Sequence, residues 1–472
     1  MNKNTITFKK KHLESFYNFS RDKNPLHLDS QYAALTPFSE TVVYGILCVF
    51  FLLSKLEYKN LNIYYLSADF KNPLLINKEY FFAINKKNEE INLVIFKGST
   101  IYTKVKIKIT NNPNIIPDKS SNLSFNDKFY ISEVAKRNIM PEKKKLKELL
   151  NFFPGLKNFN FWVLQVLAWS SYWVGMISPG RQALYTQFKL NLKDKKLKFK
   201  HETEQLHNVL KQNKSIFKSS WGSTISMTSF LRPKPLCHLK ASIFKKDRKI
   251  RMKDNLCFVT GGTRGIGSIF SQIFSSEGAS VLSSYKKDKV SAQKLEKFIL
   301  SKDKKIKVFR SNQKLQLRNL LLEKKIDCLV LNAAPIIRKI DLSEMSHKEF
   351  DNEINKFVKL TINDVKFFQN YIIKNATIIN ISSTFIDEKP EGYSHYYKSK
   401  EYIENYLKDY SDKHPSLTLL NFRLPKLLTD QTNINNLHNY LSSPVETIEK
   451  VIEYYLSFKG KKGFFNFNLI NQ

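Results

Sequence analysis

A glycine-rich segment that joins a predicted strand to a predicted helix is the feature that most constrains the fold of this chain. Thr260 and Gly261 follow an apolar run at 256–259, and Gly265 and Gly267 begin a segment with helical periodicity. Glycines in such a turn let the main chain approach a pyrophosphate, and the start of the next helix supplies unpaired N–H groups and a positive dipole. The segment therefore predicts a dinucleotide-binding turn.

Apolar runs and helical segments alternate from about residue 251 to residue 472. The predicted strands are 256–260, 280–284, 306–310, 328–331, 377–381, 417–423 and 464–470. Strand and helix in turn predict a parallel, doubly wound α/β sheet with both faces covered.

Residues from about 253 to 472 resemble the short-chain dehydrogenase/reductase family. Its T-G-x-x-x-G-x-G pattern is met by the glycine-rich segment, Asn332 and Ala333 are similar to its N-A-G segment, and Pro425 is similar to the proline beside the nicotinamide. The resemblance implies a Rossmann-type fold that binds a nicotinamide cofactor. It implies these cofactor-binding residues: Thr260, Gly261, Thr263, Arg264, Gly265, Ile266, Gly267, Tyr285, Lys286, Asn332, Ala333, Tyr396, Lys400 and Pro425.

Three further residues carry the chemistry that this resemblance implies. Tyr396 would protonate a carbonyl oxygen as hydride arrives at carbon, and Ser383 would orient that carbonyl. A phenol with a pKa of about 10 donates poorly at neutral pH unless a cation stabilises its phenolate. Lys400, one helical turn after Tyr396, is expected to do so and to hold the nicotinamide ribose. One departure is Phe357, which stands near the position of the helix asparagine of the family's proton relay.

The residues after the second predicted strand bear on the choice between NADPH and NADH. NAD-specific members of the family usually place an acidic residue there, whereas this chain has Ser283-Ser284-Tyr285-Lys286-Lys287. Arg264 and Lys286 are expected to pair with a 2′-phosphate. We therefore favour NADPH (NADP) over NADH.

A second motif lies near the start of the chain. Asp22, Asn24, Pro25, His27 and Asp29 match the D-x-N-P-x-H-x-D motif of the MaoC-like (R)-specific enoyl-thioester hydratases, and the resemblance covers about residues 5–112. It implies a hot-dog fold. Hydration of an enoyl thioester requires a base that activates water and an acid that protonates the α-carbon.

By this resemblance, Asp22 and His27 would share one water for both roles. Gly45, at the start of the predicted apolar helix, would donate an N–H to the thioester oxyanion. Tyr44 stands in place of the histidine often found before that glycine. The alternative is that Asp22 and His27 only cap and brace the following helix.

Residues 125–245 repeat the order of a long apolar helix followed by strands, without a second Asp/His pair. We therefore predict a double α+β hot-dog region, made of two packed halves, followed by the Rossmann-type domain. The predicted boundaries are 1–115 for the first hot-dog domain, 116–250 for a degenerate second one with its linker, and 251–472 for the short-chain dehydrogenase/reductase domain.

Composition narrows the partners and the compartment. The formal charge is +35, which suits nucleic acid, anionic lipid or acidic carriers. Lysine is, however, spread along the chain with abundant Asn, Ile, Phe and Tyr, as an AT-rich genome produces, and no basic run accompanies a nucleic-acid motif. We expect neither nucleic acid nor membrane as a partner. A basic scaffold for nucleic acid is the remaining alternative, with its charge alone in its favour.

Four dispersed cysteines without a C-x-x-C pair predict neither a disulfide framework nor a metal site. The first residues lack the apolar stretch of a signal peptide, and the apolar segments 42–53 and 161–177 are too short or too interrupted to span a bilayer. Residues 161–177 are predicted to form a buried helix instead. These features predict a cytoplasmic protein.

The two resemblances share an intermediate, because reduction of a 3-oxoacyl thioester gives the 3-hydroxyacyl thioester that a hydratase forms or dehydrates. We predict a bifunctional NADPH-dependent 3-oxoacyl-thioester reductase and (R)-specific enoyl-thioester hydratase/dehydratase acting on acyl-CoA or acyl-carrier-protein thioesters. A homo-oligomer is expected by resemblance. The alternative is a reductase of a different ketone or sugar with a noncatalytic hot-dog acyl-binding module.

Overall fold

The computed structural model describes residues 4–58, 61–125, 140–208, 210–245, 249–340, 342, 345–434 and 441–469. It divides into two compact units. The N-terminal unit comprises Met1–Lys234 and Ile434–Asn436, and the C-terminal unit comprises Pro235–Asn433 and Leu437–Gln472.

The N-terminal unit contains two successive groups of helices and strands. The first group is β1 (Thr5–Thr7), α1 (Lys10–Ser20), α2 (Pro25–Leu28), α3 (Ser30–Ala34), α4 (Gly45–Ser54), β2 (Ile63–Phe70), β3 (Glu79–Lys87), β4 (Glu90–Lys97) and β5 (Thr100–Ile109). The second is β6 (Ser124–Phe125), α5 (Lys147–Phe152), α6 (Phe161–Tyr172), β7 (Ala183–Asn191), β8 (Lys198–His207), β9 (Gln212–Ser219) and β10 (Thr224–Leu231).

One ten-stranded sheet joins the two groups, in the order β1-β3-β4-β5-β2-β7-β10-β9-β8-β6. The neighbours are antiparallel except for β6 and β8, and β2 pairs with β7 at the centre. Read outward from this pair, each half presents its strands in the same sequence. The two halves therefore share both the order of a long helix followed by four strands and the arrangement of those strands in the sheet.

The long helices α4 and α6 are apolar on all sides, and such helices are stable only when they are enclosed. Every residue from Ile46 to Leu53 and from Trp162 to Tyr172 is buried. Both helices belong to one core with the inward faces of the strands. The prediction that 161–177 contains a buried helix is confirmed; a π-helical turn, Trp173–Ile177, continues α6.

The C-terminal unit alternates strands and helices. Its elements are β11 (Leu256–Val259), α7 (Gly265–Ser276), β12 (Ser280–Tyr285), α8 (Lys289–Leu300), β13 (Ile306–Arg310), α9 (Lys314–Glu323), β14 (Ile326–Leu331), α10 (His347–Phe368), β15 (Ile372–Ser383), α11 (Phe385–Glu388), α12 (Ser394–Lys413), β16 (Thr418–Leu424), α13 (Pro444–Phe458) and β17 (Gly463–Asn468).

Its seven strands form a parallel sheet in the order β13-β12-β11-β14-β15-β16-β17. The order reverses between β12-β11 and β11-β14, which makes the carboxyl ends of β11 and β14 the switch point where such sheets bind ligands. Separate apolar clusters cover the two faces. The predicted Rossmann-type α/β fold is confirmed for this unit.

The strand predictions from apolar runs are confirmed throughout the C-terminal unit, apart from the end of the last one, since Ile470 lies outside the described residues. Two strands of the N-terminal unit, β3 and β8, carry mostly exposed side chains. Neither strand was predicted. Within the described part of the chain, no helix combines the length and apolar character that a membrane span requires.

Candidate functional site

Of the predicted hydratase residues, Asp22 lies on the loop between α1 and α2 and His27 lies within α2, in the N-terminal unit. Asp22 is 2% exposed. Its Oδ1 accepts the Asn24 N–H at 3.0 Å, and its Oδ2 accepts the Ser171 hydroxyl at 2.7 Å. Burial raises the pKa of Asp22 to about 7, against the lowering effect of these two hydrogen bonds. Asp22 is therefore a buried carboxyl that titrates near neutrality.

His27 is held in one tautomer by the main chain. Its Nδ1 lies 2.7 Å from the carbonyl oxygen of Val42. A carbonyl can only accept, so Nδ1 carries the proton and Nε2 keeps its lone pair in the neutral ring. Burial, helped by the Arg232 charge, lowers the pKa of His27 to about 4, although the contact with Val42 opposes this lowering. His27 is thus a neutral imidazole with one basic nitrogen.

Tyr44 connects the two predicted catalytic residues. Its ring stacks on the His27 ring at a centroid distance of 3.9 Å, and its hydroxyl donates to the main-chain oxygen of Asp22 at 2.7 Å. Gly45 follows as the first residue of α4. Its N–H has no acceptor within the helix, and a Cβ there would lie 2.9 Å from the Phe70 ring.

The sequence did not indicate that the second half of the N-terminal unit contributes to this site. Besides Ser171, that half places Gly175 so close that a Cβ would lie 2.4 Å from Oδ1 of Asp22. Nothing in the sequence paired Gly175 with the distant Asp22. The remaining motif residues act as caps, since Asn24 accepts the N–H of Leu26 and Asp29 starts α3.

The glycine-rich turn of the C-terminal unit connects β11 to α7. Gly261 and Gly265 have φ of +60° and +53°, which disfavours other residues. A Cβ at Gly267 would lie 2.3 Å from the Gly261 oxygen and 2.6 Å from Asn332 Nδ2. The first intrahelical bond in α7 is donated by Ser268, so the N–H groups of 265–267 are directed out of the helix. This cradle fits a pyrophosphate.

The end of β14 locks that turn in place. Asn332 Nδ2 donates to the oxygens of Thr260 and Gly261, both at 3.1 Å. In return, Thr260 Oγ1 accepts the N–H groups of Asn332 and Ala333 at 3.0 Å. The residues predicted to surround the adenosine and pyrophosphate are therefore brought together.

Charged side chains surround the edge of this cradle. Lys286 is exposed directly after β12, Tyr285 is half-buried, and Arg264 precedes α7. Asp288 Oδ2 lies 4.0 Å from Arg264 Nη1, a contact that the sequence did not indicate. Thr263 is buried and Ile266 half-buried within the same turn. Arg264 is thus partly offset by a carboxylate, whereas Lys286 is open to solvent.

Ser383, Tyr396 and Lys400 meet at the carboxyl edge of the same sheet. Ser383 ends β15, while Tyr396 and Lys400 lie one turn apart on α12. The Ser383 side chain is near enough to the Tyr396 hydroxyl to affect its pKa, and Lys400 Nζ lies 5.8 Å from the centre of the Tyr396 ring. Pro425 directly follows β16, the neighbouring strand. The three predicted catalytic residues are brought together.

The pKa of Tyr396 is raised, whereas the sequence led us to expect that Lys400 would lower it. Burial raises the pKa of Tyr396 to about 12, and the Ser383 hydrogen bond only reduces that effect. Burial also lowers the pKa of Lys400 to about 8, although the Glu404 charge opposes this. Lys400 Nζ donates to the Ile381 carbonyl at 2.6 Å. At neutral pH Tyr396 is therefore a protonated phenol and Lys400 a cation.

Aromatic rings enclose Tyr396 on two sides. The ring centres of Phe357 and Phe385 lie 5.6 and 5.9 Å from that of Tyr396, both edge to face. Phe357 therefore places an apolar wall where the family resemblance led us to look for an asparagine.

A family comparison bears on the C-terminal unit. Residues 255–416 match the family model described as short chain dehydrogenase. Those residues form a short-chain dehydrogenase domain. The match includes the glycine-rich turn and the Ser383, Tyr396 and Lys400 triplet, and it supports a dehydrogenase/reductase activity for the domain. No match was found among curated proteins.

Solved structures are similar to this chain over less than half its length. A dehydrogenase/reductase from Sinorhizobium meliloti 1021 is 19% identical, covers 47% of this chain and 96% of its own, and has a TM-score of 0.41. The angucycline C-6 ketoreductase LanV with bound NADP is 18% identical, with coverages of 46% and 96% and a TM-score of 0.41. A short chain dehydrogenase from Burkholderia cenocepacia J2315 in complex with NADP is also 18% identical, with coverages of 46% and 97% and a TM-score of 0.41.

A polar network next to the triplet of the short-chain dehydrogenase domain was not predicted. Glu404, one turn after Lys400 on α12, is 7% exposed and accepts the hydroxyl of Ser382. Arg423 of β16 donates to both Glu404 oxygens, at 3.1 and 2.6 Å, and also to Asp387 at 2.7 Å. The network ties α12 to the strands that carry Ser383 and Pro425. The spacing of Lys400 and Glu404 on one helix face was its only sequence signal.

Proposed function

We propose that the short-chain dehydrogenase domain is an NAD(P)-dependent oxidoreductase that reduces a carbonyl group. The observation that carries the proposal is the meeting of Ser383 at the end of β15 with Tyr396 and Lys400 of α12, at the sheet edge that also holds the glycine-rich turn. The nicotinamide would supply the hydride. The cradle of Gly261 and Gly267, which a Cβ would fill, supports a bound pyrophosphate.

In this mechanism Tyr396 donates the proton and Ser383 orients the substrate oxygen. With a pKa of about 12, the phenol is in its donor form at neutral pH. Lys400, cationic below its pKa of about 8, stabilises the phenolate left after transfer. The apolar wall of Phe357 and Phe385 excludes water around the phenol. Because Phe357 has no polar side chain to hold a relay water, the proton returns to Tyr396 by a route other than an asparagine-bound water.

We propose NADPH as the preferred cofactor. Lys286 is exposed after β12, where a 2′-phosphate would lie, and Arg264 is close to the same turn. Asp288 opposes this preference, because its carboxylate lies 4.0 Å from Arg264. We expect Lys286 to supply most of the discrimination.

For the N-terminal unit, we propose a double hot dog that hydrates or dehydrates (R)-configured acyl thioesters. Each half consists of a long helix followed by four strands, and the two halves meet at the pair of β2 and β7. Their buried helices share one core. The finer proposal for the whole chain is a 3-oxoacyl-thioester reductase combined with an enoyl-thioester hydratase/dehydratase. Its support is the shared 3-hydroxyacyl intermediate.

The protonation states in the N-terminal unit suit this reaction. His27 is neutral with a basic Nε2, so it is able to take a proton from water. Asp22, with a pKa of about 7, holds a proton part of the time and is able to deliver it to the α-carbon. Two groups whose pKa values are displaced in opposite directions divide the acid and base roles between them. The N–H of Gly45 would bind the thioester oxygen.

The partner class that we propose is an acyl-CoA or acyl-carrier-protein thioester. Both carriers are acidic, and a chain with a formal charge of +35 attracts them electrostatically. We also propose a homo-oligomer, on the family resemblance alone.

The reductase is tested by mixing the protein with acetoacetyl-CoA and NADPH and following the absorbance of NADPH. Tyr396→Phe should reduce the rate by at least about 100-fold, since general acid catalysis contributes that much. Tyr397→Phe, on the next residue of α12, is the matched control and should retain activity. Full activity of Tyr396→Phe would refute the assignment.

The hydratase is tested separately with crotonyl-CoA in the absence of NADPH. His27→Ala or Asp22→Asn should abolish hydration while Tyr396→Phe leaves it unchanged. If neither the wild type nor Tyr396→Phe hydrates crotonyl-CoA, the proposed activity of the N-terminal unit is refuted. The reductase proposal is not affected by that result.

A second candidate function is a reductase of another ketone or of a sugar, with a noncatalytic acyl-binding N-terminal unit. The observation in its favour is that both carboxylate oxygens of Asp22 already accept hydrogen bonds, from Asn24 and Ser171. In that case the full chain would bind acyl-CoA without hydrating it, and a ketone or sugar would be reduced faster than any 3-oxoacyl thioester.

A further inference from the structure

Arg232 is a buried cation in the N-terminal unit whose charge is not balanced. It directly follows β10 and is 7% exposed. Its Nη2 donates to the main-chain oxygen of Arg181 at 3.0 Å, whereas its Nε is buried without an acceptor among the described residues. None of the ion pairs within the described part of the chain includes Arg232. A buried charge without a partner is strongly unfavourable, so a ligand anion is the natural complement.

A second unsatisfied donor lies against this guanidinium. The Tyr32 ring centre is 5.8 Å from the guanidinium carbon of Arg232, and the Tyr32 hydroxyl is buried without a hydrogen-bond partner among the described residues. Tyr32 lies on α3 of the first half, and Arg232 follows a strand of the second half. Each half thus contributes one donor to the same place.

On the side of the first half, contacts connect this pair to His27. Tyr32 packs against the cluster of Leu26, Ala33 and Val42. The carbonyl of Val42 is the group that accepts from His27 Nδ1. Arg232 also acts on the His27 ring through its charge. The two donors are therefore close to the predicted base.

On the side of the second half, contacts connect the pair to Asp22. The carbonyl that holds Arg232 belongs to Arg181, in the loop that follows the π-helical turn Trp173–Ile177. Gly175 of that turn is in contact range of the Asp22 carboxylate. Arg232 is thus linked to Asp22 through this loop, and Tyr32 is linked to His27 through its apolar cluster.

We propose that Arg232 and Tyr32 form a subsite that binds an anionic oxygen of the acyl group. The proposal rests on the proposed function for the identity of the ligand as an acyl thioester. Two oxygens have this chemistry: the thioester oxygen, which becomes negative as water adds to the conjugated acyl chain, and a carboxylate at the far end of the acyl chain. A guanidinium with a free N–H and a neighbouring phenol suits either one.

Binding to the full chain without NADPH tests the subsite independently of catalysis. Succinyl-CoA carries a terminal carboxylate that butyryl-CoA lacks, so calorimetric titration with both shows whether the subsite binds a carboxylate. The ultraviolet band of the acetoacetyl-CoA enolate shows whether the subsite binds a negatively charged thioester oxygen. Arg232→Gln should weaken the binding of one of these two anionic ligands by at least about tenfold in Kd, the equivalent of about 1.4 kcal/mol. Arg181→Gln, which removes an exposed charge from the same loop and keeps its carbonyl, should change neither by more than about twofold.

Tyr32→Phe adds a test that does not depend on the folding of Arg232→Gln. If the hydroxyl binds a ligand, its removal weakens binding of the same anion. The melting temperature should stay equal or rise, because a buried hydroxyl without a hydrogen-bond partner among the described residues is lost. A lower melting temperature with unchanged binding would mean that Tyr32 is structural, and this overturns the proposal. Unchanged binding of both anions in a folded Arg232→Gln overturns it as well.

The same measurements separate this proposal from the proposed hydratase. Binding that depends on Arg232 without hydration of crotonyl-CoA supports the subsite and refutes the hydratase. Hydration that proceeds equally well in Arg232→Gln, with unchanged binding of both anions, supports the hydratase and overturns the subsite.

Discussion

Asp22→Asn offers a test in which stability and activity should change in opposite directions. The pKa of Asp22 is raised from its ordinary 3.8 to about 7, chiefly by burial. At 1.36 kcal/mol per pKa unit, the difference of 3.2 corresponds to about 4 kcal/mol. This is the free energy that the folded N-terminal unit loses when Asp22 is ionised rather than protonated.

The sign of the pH dependence follows from the folded and unfolded pKa values. Between pH 3.8 and about 7 the folded chain holds a proton on Asp22 that the unfolded chain has released. The free energy of unfolding therefore falls as pH rises through this window and is constant with respect to Asp22 above it. Asparagine does not titrate. Its amide is able to keep both hydrogen bonds, since the Ser171 hydroxyl reverses from donor to acceptor.

Urea unfolding of the wild type and of Asp22→Asn, at several pH values from 4 to 8, measures the effect. The advantage of the variant should grow by about 4 kcal/mol across this range, while hydration of crotonyl-CoA is lost. Asp69→Asn, a half-buried carboxyl of β2, is a control that removes the same charge. Parallel pH curves for the wild type and Asp22→Asn would falsify the burial argument. A stable Asp22→Asn with full activity would show that the carboxyl only braces the loop.

Three further changes test the short-chain dehydrogenase domain. Gly267→Ala should cost about 1–3 kcal/mol in urea unfolding and weaken NADPH binding in a fluorescence titration, because its Cβ would lie 2.3 Å from the Gly261 oxygen; unchanged values for both contradict this. Glu404→Gln should move the alkaline loss of reductase activity to lower pH, because Glu404 raises the pKa of Lys400; an unchanged pH–rate profile argues against that coupling. Lys286→Glu should raise KM for NADPH by at least about tenfold more than KM for NADH, and an equal change for both cofactors would exclude Lys286 from discrimination.

Much of the C-terminal unit was predictable because its signals are local. The glycine-rich turn needs only neighbouring residues, since backbone freedom and a helix start are properties of a short segment. Tyr396 and Lys400 share a face because they are four residues apart on one helix. Fully buried parallel strands form continuous apolar runs, which is why central strands such as β11 and β14 were recognised.

The N-terminal unit shows why other features were not predictable. Strands β3 and β8 are held by main-chain pairing with β4 and β9, and their side chains are mostly exposed. Main-chain hydrogen bonds leave no apolar pattern in the sequence. The contact of Ser171 with Asp22 joins residues far apart in the chain, so only the packing of the two halves creates it.

The sequence by itself determined which residue types are available and where short-range geometry places them: the glycine-rich turn, the Tyr396 and Lys400 pair, and the motif around Asp22. Only the tertiary structure decided their protonation and their partners. It buried Tyr396, Lys400 and Asp22, and it placed Cys257 directly beside Cys328 across β11 and β14. The physical reason is that burial and long-range contact set the local dielectric and the hydrogen-bond partners, and neither is encoded within a few neighbouring residues.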